Sequence, residues 1–110
     1  MEKINWSDFK KVDLRAGTIT KAEVFTEAHN PAYKIWVDLG EALGIKKTSA
    51  QITHYTIDDL IGRQVLCVVN FEPKQIANFM SEILITGFEL TDKTILTVPE
   101  AKVPNGTRMV

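Results

Sequence analysis

The sequence has few of the residues that form cross-links, hold metals or carry out acid-base catalysis. Its 110 residues include one cysteine and two histidines. One cysteine excludes a disulfide within the chain, and neither His29 nor His54 has a partner at the spacing of a metal site. No serine stands in a nucleophile motif, and there is no glycine-rich phosphate loop. We therefore expect a binding protein with no enzymatic activity, no catalytic residue, no metal, no cofactor and no small-molecule substrate.

Long apolar segments are also absent. Residues 1–8 lack the apolar stretch of a signal peptide, and no segment approaches the ~20 apolar residues that span a bilayer. Cys67 lies inside the apolar run 65–69, which predicts a buried and unreactive thiol of the kind found in a reducing compartment. These features predict a cytoplasmic protein without membrane insertion.

A strong charge of either sign is missing as well. The formal net charge of -1 argues against a generic nucleic-acid binder, because domains that neutralise phosphates are usually strongly basic. The charges are nevertheless unevenly spread. Basic residues cluster in the first strand region at Lys10, Lys11, Arg15 and Lys21, and others fall in later segments at Lys34, Lys46, Lys47 and Lys74. Composition alone leaves two alternatives open, a basic face on a neutral protein or a well-mixed polar surface.

The sequence does contain a series of short β patterns. With 45% hydrophobic residues, a single domain over residues 1–110 can bury a core without cross-links. Alternating apolar and polar positions predict strands over 12–25, 33–39 and 46–52, a buried strand over 63–69, and a final pair over 83–88 and 94–98. In the first strand, a phase slip at Ile19 beside Gly17 predicts a bulge.

Two short helices complete the predicted fold. Residues 6–10 can form one helical turn, and a second helix follows Thr56 as N-cap and ends at Gly62. This second helix lies between the third and fourth strands. Three strands, one helix and two further strands is the order of the all-β, five-stranded OB barrel.

The segment 69–82 offers the clearest recognition chemistry. We predict one loop there, in which Asn70 and Gln75 can donate and accept hydrogen bonds. Its apolar residues predict a shallow peptide-binding site at Phe71, Ile76, Phe79 and Met80. The alternative is that these residues close one end of the barrel. Polar neighbours on both sides, Asn78 and Ser81, favour exposure of Phe79.

A second pattern predicts an RNA-binding face. The alternation in the strand 33–39 turns Trp36 outward beside Lys34, and an aromatic ring among cations can stack a base and hold phosphates. The alternative for Trp36 is burial in a dimer interface. The full set of predicted RNA-binding residues is Arg15, Lys34, Trp36, Lys46, Lys47, Ser49, Gln51, Asn70, Lys74, Gln75 and Ser81.

Three motifs resemble a known family. Segments 12–19 (VDLRAGTI), 30–40 (NPAYKIWVDLG) and 70–75 (NFEPKQ) resemble the tRNA-binding OB domain found at the C-terminus of many methionyl-tRNA synthetases and in free-standing proteins. Segments 47–53, 73–82 and 103–106 are similar to those of CsaA-type bacterial export chaperones. The resemblance covers nearly the whole chain. It implies a homodimer that binds tRNA and holds unfolded or precursor proteins for export, or else a structure-specific tRNA-binding protein that acts in trans on tRNA or a synthetase.

The chain departs from that family in one region. Where RNA-binding members usually carry arginine-glycine and then serine-x-glycine-methionine, this chain has Ala77-Asn78 and the segment 81–84 (SEIL). The missing arginine removes a rigid phosphate-binding fork, and the missing glycines remove points of close backbone approach. We therefore expect weaker tRNA binding and a larger apolar surface for varied peptides.

Apolar residues are left over at both ends of the chain. They are Ile4, Trp6 and Phe9 at the N-terminus, and Val103, Met109 and Val110 at the C-terminus. A barrel of this size cannot bury all of them. We therefore expect a two-fold symmetric dimer in which the terminal segments pack against the partner.

Overall fold

The computed structural model describes all 110 residues as a mostly β structure with two short helices, which confirms the predicted fold class. Neither helix has the length or the apolar composition of a membrane-spanning segment. The elements are α1 (Trp6–Lys10), β1 (Leu14–Val24), β2 (Tyr33–Asp38), β3 (Ile45–Ala50), α2 (Ile57–Leu60), β4 (Gln64–Val68), β5 (Lys74–Ile76), β6 (Phe79–Ser81), β7 (Leu84–Ile85), β8 (Gly87–Glu89) and β9 (Thr94–Leu96).

Five strands form one antiparallel sheet in the order β3-β2-β1-β4-β7. The sheet curls until β3 meets the chain just after β6. There the Glu82 N–H donates to the Lys47 carbonyl at 2.8 Å, and the Lys47 N–H donates to Glu82 Oε1 at 3.0 Å. This nearly closed barrel, with α2 between β3 and β4, confirms the predicted OB architecture.

The predicted bulge in β1 is present. Ile19 pairs with Val37 and Lys21 pairs with Trp36, so Thr20 is the extra residue. Just before it, Gly17 lies so close to β2 that a Cβ would sit 2.5 Å from a Val37 methyl carbon. Only glycine fits at this contact. The bend lets β1 pair with both β2 and β4, and the bulge turns Lys21 toward the same face as Trp36.

The core has a large and a small part. The large cluster fills the barrel and includes Ile19, Ile35 and Val65. Cys67 belongs to it and is fully buried, which confirms the predicted burial, and burial raises the pKa of its thiol to about 12. The small cluster lies outside the barrel, where Phe25, Ala32 and Phe79 pack together, with Trp36 and Ile76 against them.

Side-chain caps start both helices. Asn5 Oδ1 accepts a hydrogen bond from the Asp8 N–H at 2.9 Å, and the Asp8 carboxylate accepts one from the Asn5 N–H at 3.3 Å, which together form a capping box. Thr56 Oγ1 accepts from the Asp59 N–H at 3.1 Å, and Gly62 follows α2 with φ of 86°. The predicted N-cap at Thr56 and the predicted stop at Gly62 are therefore confirmed.

The segment 69–82 is not the single loop that we predicted. Strands β5 and β6 pair as a β-hairpin, with Lys74 opposite Ser81 and Ile76 opposite Phe79. Its two-residue turn is Ala77-Asn78, and Ala77 takes the left-handed region at φ of 51°. Each strand has only three residues, too few for alternation to be recognised in the sequence. The turn also lacks the glycine that usually marks such hairpins.

The C-terminal segment pairs its main chain with the first half of β1 and also contacts β4. The Gly106 N–H donates to the Ala16 carbonyl at 2.7 Å, and the Gln64 side-chain amide donates to the Val103 carbonyl at 2.6 Å. Thr18 Oγ1 donates to Asn105 Oδ1 at 2.8 Å. These contacts leave the far end of β1, together with β2 and β3, free of the C-terminal segment.

Candidate nucleic-acid and peptide interface

The outer surface of β1, β2 and β3 gathers lysines around aromatic rings. Trp36 lies in register with Lys21 on one side and Lys47 on the other, and Lys34 pairs with Ser49. Directly paired residues of antiparallel strands project from the same face. The structure therefore brings together four of the predicted RNA-binding residues, namely Lys34, Trp36, Lys47 and Ser49.

Each of the three lysines on this surface lies over an aromatic ring. Lys21 Nζ is 4.5 Å from the centre of the Trp36 ring, and Lys47 Nζ is 5.1 Å from that of Phe79. Lys34 Nζ lies 5.0 Å from the Phe25 ring and 5.4 Å from the Phe79 ring. These are cation-π distances. We call Lys21, Lys34, Trp36 and Lys47, with Phe25 and Phe79 beneath them, the lysine-aromatic face.

Two of the lysines have weak acidic partners. Lys21 Nζ lies 3.3 Å from Glu23, and Lys34 Nζ lies 3.9 Å from Glu27. Lys47 has no carboxylate oxygen within 4.0 Å of its ammonium. Lys34 is only 20% exposed, but Lys21 and both glutamates are about half exposed. Ion pairs that solvent reaches in this way contribute between zero and about 1 kcal/mol, so a phosphate can replace the glutamates at little cost.

Phe79 is buried, and the expectation that it is exposed is wrong. Only 6% of its surface is accessible, and its ring centre lies 5.5 Å from Phe25 and 5.9 Å from Trp36. The hairpin folds back over β2, and successive residues of a strand point to opposite sides. Phe79 therefore faces the protein, while Met80 beside it is 41% exposed.

Lys46 does not share the face with Lys47. It pairs with Val37, which is fully buried, whereas Lys47 pairs with Trp36 on the outer side. Neighbouring residues of a strand alternate between faces. The expectation that both lysines lie on the RNA-binding face is therefore wrong for Lys46.

Arg15 is held in an ion network at the other end of β1. Its guanidinium donates to both oxygens of Asp13, at 2.6 and 3.1 Å, and to the Gly106 carbonyl at 3.0 Å. The hydrogen bond from Arg15 holds the pKa of the Asp13 carboxyl below its ordinary value, against an opposing effect of burial, and the charges of Arg15 and Arg108 act in the same direction. Arg15 is thus not part of the lysine-aromatic face.

Three other predicted polar residues also make internal contacts. Asn70 accepts from the Asp13 N–H at 3.1 Å and donates to the Lys11 carbonyl at 2.6 Å. Ser81 Oγ lies 2.8 Å from Thr48 Oγ1, and the Gln75 amide donates to the Ala77 carbonyl at 3.0 Å. Gln51 follows the end of β3 and is exposed.

A groove of about 440 Å³ separates β3 from the hairpin β5-β6. Residues along it include Ser49, Phe71, Lys74, Ile76, Ser81 and Leu84. Phe71 and Leu84 are 57% and 47% exposed, so the groove offers apolar contacts to a ligand. We call it the hairpin groove. Phe71 and Ile76 of the predicted peptide-binding set lie in it, whereas Met80 does not.

Sequence reasoning missed Lys21, Phe25 and Leu84. The phase slip at Ile19 predicts a bulge in β1, but it does not show which residue is the unpaired one. The face on which Lys21 lies depends on that residue, which is Thr20 in the structure. Phe25 follows the last residue of β1 and Leu84 follows a buried Ile83. No local pattern shows that the rings of Phe25 and Phe79 meet, because the two residues are 54 positions apart in the sequence.

The comparisons with known proteins agree with this architecture. Residues 14–108 match the family model described as "Putative tRNA binding domain". The chain belongs to this family. Two curated members are the methionine--tRNA ligases of Methanothrix thermoacetophila, 32% identical over 94% of this chain, and of Chlorobium chlorochromatii, 34% identical over 94%. The chain spans only about 15% of the length of these ligases.

Solved structures also match over nearly the whole chain. The CsaA chaperone protein of Picrophilus torridus is 44% identical with a TM-score of 0.94, covering 98% of this chain and 100% of that one. Chaperone CsaA of Bacillus anthracis is 45% identical with a TM-score of 0.91, covering 99% and 100%. A MetRS related protein from Pyrococcus horikoshii is 26% identical with a TM-score of 0.87, covering 100% of both chains.

Proposed function

We propose that this protein is a non-enzymatic, cytoplasmic member of the tRNA-binding family that binds tRNA in trans through the lysine-aromatic face. One observation carries the proposal: Lys21, Lys34 and Lys47 each lie over an aromatic ring on the same side of the barrel. The family model and the methionyl-tRNA synthetase relatives support tRNA as the ligand.

The face suits the phosphate backbone better than individual bases. Phe79 is buried, and one side of Trp36 is already covered by Lys21. Lysine ammoniums carry no sequence information when they contact phosphates. A base that stacks on the exposed part of Trp36 would add about 1 to 3 kcal/mol. We expect recognition of tRNA shape with little preference for sequence.

Charge-removing variants test the proposal. Lys34→Gln with Lys47→Gln should flatten the slope of log affinity against log salt by about 0.7 to 0.9 per lysine. Lys46→Gln with Lys93→Gln removes the same charge elsewhere and is the matched control. Filter binding of tRNA at several salt concentrations measures both slopes. Equal slopes for the two double variants would contradict the proposed face.

We propose the holding of unfolded or precursor polypeptides as a second function, located in the hairpin groove. The supporting observation is the exposure of Phe71 and Leu84 along that groove, and two similar structures at 44% and 45% identity are described as CsaA chaperones. Phe71→Ser with Leu84→Ser should abolish suppression of aggregation of a denatured precursor. Ile61 is a similarly exposed apolar residue just after α2. Ile61→Ser is therefore the control, and this variant should still suppress aggregation.

We also propose that the protein is a homodimer. Trp6 and Phe88 are about two-thirds exposed, and an apolar cavity of about 300 Å³ lined by Leu66, Val98 and Met109 opens beside the C-terminal segment. An isologous contact would cover such surface in both copies at once. Light scattering should return twice the 12.4 kDa chain mass. A monomer mass at micromolar concentration would contradict this proposal.

A further inference from the structure

A polar cavity opens between the outer surfaces of β1 and β4 and the chain that follows β9. Its volume is about 330 Å³, and the residues that line it include Thr18, Gln64, Arg63 and Lys102. Two cations therefore line the cavity, and no carboxylate does. We call it the basic cavity. Its lining has the charge of an anion site.

The Arg63 guanidinium is anchored but only partly used. Its Nε donates to the Asp59 carbonyl at 3.3 Å, and its central carbon lies 5.2 Å from the centre of the Tyr55 ring. Its two terminal amino groups make no hydrogen bond within the protein. A planar fork that is already held in this way loses little freedom when it binds a phosphate.

The backbone beside Lys102 is fixed as well. The Val103 N–H donates to Gln64 Oε1 at 3.0 Å, and Gln64 Nε2 donates to the Val103 carbonyl at 2.6 Å. These two bonds hold the chain next to Lys102 against β4, while the Lys102 side chain itself is exposed. The second cation therefore extends from a fixed point on the wall of the cavity.

Both cations lack an acidic partner. No carboxylate oxygen lies within 4.0 Å of the charged nitrogens of Arg63 or Lys102. Asp38, at the end of β2, and Glu100, in the chain before Lys102, are neighbours of the cavity in the sheet and in the sequence, but neither lines it. An incoming phosphate therefore has no ion pair to break.

The basic cavity lies on the same side of β1 as the lysine-aromatic face. Thr18 pairs with Gln64, and the next residue, Ile19, is fully buried, so Thr18 points outward. Beyond the bulge, Lys21 points outward beside Trp36. Three residues of strand separate Thr18 from Lys21, a distance of about 10 Å. A ligand backbone on the face can therefore continue along β1 to the cavity.

We propose that the basic cavity binds a backbone phosphate of the RNA that contacts the lysine-aromatic face, with Arg63 and Lys102 as its ligands. This inference rests on the proposed binding of tRNA and extends the interface to a second position on β1. Phosphate contacts fix the register and orientation of a nucleic acid without reading its sequence. Two separate positions along one strand thus set the direction in which the RNA crosses the barrel.

Removing the two cations tests the inference. In filter binding of tRNA, Arg63→Gln with Lys102→Gln should flatten the slope of log affinity against log salt by about 0.7 to 0.9 per cation. Lys102→Gln alone changes only an exposed side chain and should flatten the slope by half as much, which separates the effect from any loss of the contacts of Arg63 with α2. Lys46→Gln with Lys93→Gln is the matched control and should keep the wild-type slope.

The outcomes separate this inference from the proposed function. Wild-type slopes for both cavity variants, together with a flattened slope for Lys34→Gln with Lys47→Gln, would overturn the inference and leave the lysine-aromatic face standing. Wild-type slopes for all of these variants would overturn the face and the cavity together. A flattened slope for the cavity variants and for the face variant supports one continuous RNA interface.

A crosslink tests the position of the RNA and leaves both cations in place. Because Cys67 is fully buried, Ala101→Cys introduces the one accessible thiol, at an exposed residue next to Lys102. After labelling with a photoreactive maleimide, this variant should crosslink to tRNA in higher yield than Thr91→Cys, which places the same label on the exposed turn between β8 and β9. A crosslink at Ala101 also identifies RNA rather than free phosphate as the occupant. Equal yields at the two positions would overturn the inference.

Discussion

Replacing Phe79 tests the structural basis of the lysine-aromatic face. Phe79 is 6% exposed and contacts the rings of Phe25 and Trp36 at 5.5 and 5.9 Å. Phe79→Ala loses the buried apolar area and leaves a cavity, a combination that usually costs about 3 to 5 kcal/mol. The small cluster lies at the surface and can partly collapse, so we expect about 3 kcal/mol.

The expected loss is large enough to measure by thermal melting. At about 4 °C or more per kcal/mol for a domain of this size, Phe79→Ala should lower the Tm by roughly 12 °C. Met80→Ala on the same strand points outward and should change the free energy of unfolding by less than about 1 kcal/mol. Equal Tm shifts for the two variants, measured by circular dichroism or calorimetry, would refute the assignment of Phe79 to the core.

Three further predictions concern single residues. Ala77→Gly should raise the free energy of unfolding by about 0.5 to 1 kcal/mol in urea titrations, because glycine relieves the positive φ of 51°; a loss of stability would contradict the hairpin turn. Asp13 has a lowered pKa, so its stabilising contribution should be present above its ordinary pKa of 3.8 and disappear as the pH falls through the folded value; the stability difference between wild type and Asp13→Asn should vanish in acid, and a constant difference would contradict the network. Cys67, with a pKa of about 12, should not react with a thiol reagent at pH 8 until the protein unfolds, and rapid native-state labelling would contradict its burial.

The barrel could be predicted from the sequence because its signals are local. Alternation in 33–39 identifies β2, and Thr56 with Gly62 bounds α2, as the structure confirms. The bulge in β1 was also visible, because Gly17 and a phase slip at Ile19 occur together. Each of these features depends on residues within a few positions of one another.

The site was harder to predict because it depends on contacts between distant segments. Polar neighbours of Phe79 suggested exposure, but the hairpin folds back onto Phe25 and Trp36 and buries the ring. Asn70 and Arg15 have side chains that often bind ligands, yet in this structure both form hydrogen bonds with Asp13. Asn70 accepts from the Asp13 N–H, and Arg15 donates to the Asp13 carboxylate. Alternation along β3 places Lys46 and Lys47 on opposite faces of the strand. Only the register with β2 shows that Lys47 is the one on the same face as Trp36.

The two tryptophans allow a direct test of RNA binding at the lysine-aromatic face. Trp36 lies on that face, whereas Trp6 lies in α1 near the C-terminal segment. Each indole N–H gives its own resonance in a nitrogen-proton NMR spectrum, so a titration with tRNA monitors both places in one sample. The account predicts that the Trp36 resonance shifts or broadens at substoichiometric tRNA while that of Trp6 stays in place. A response at Trp6 with Trp36 unchanged would contradict it.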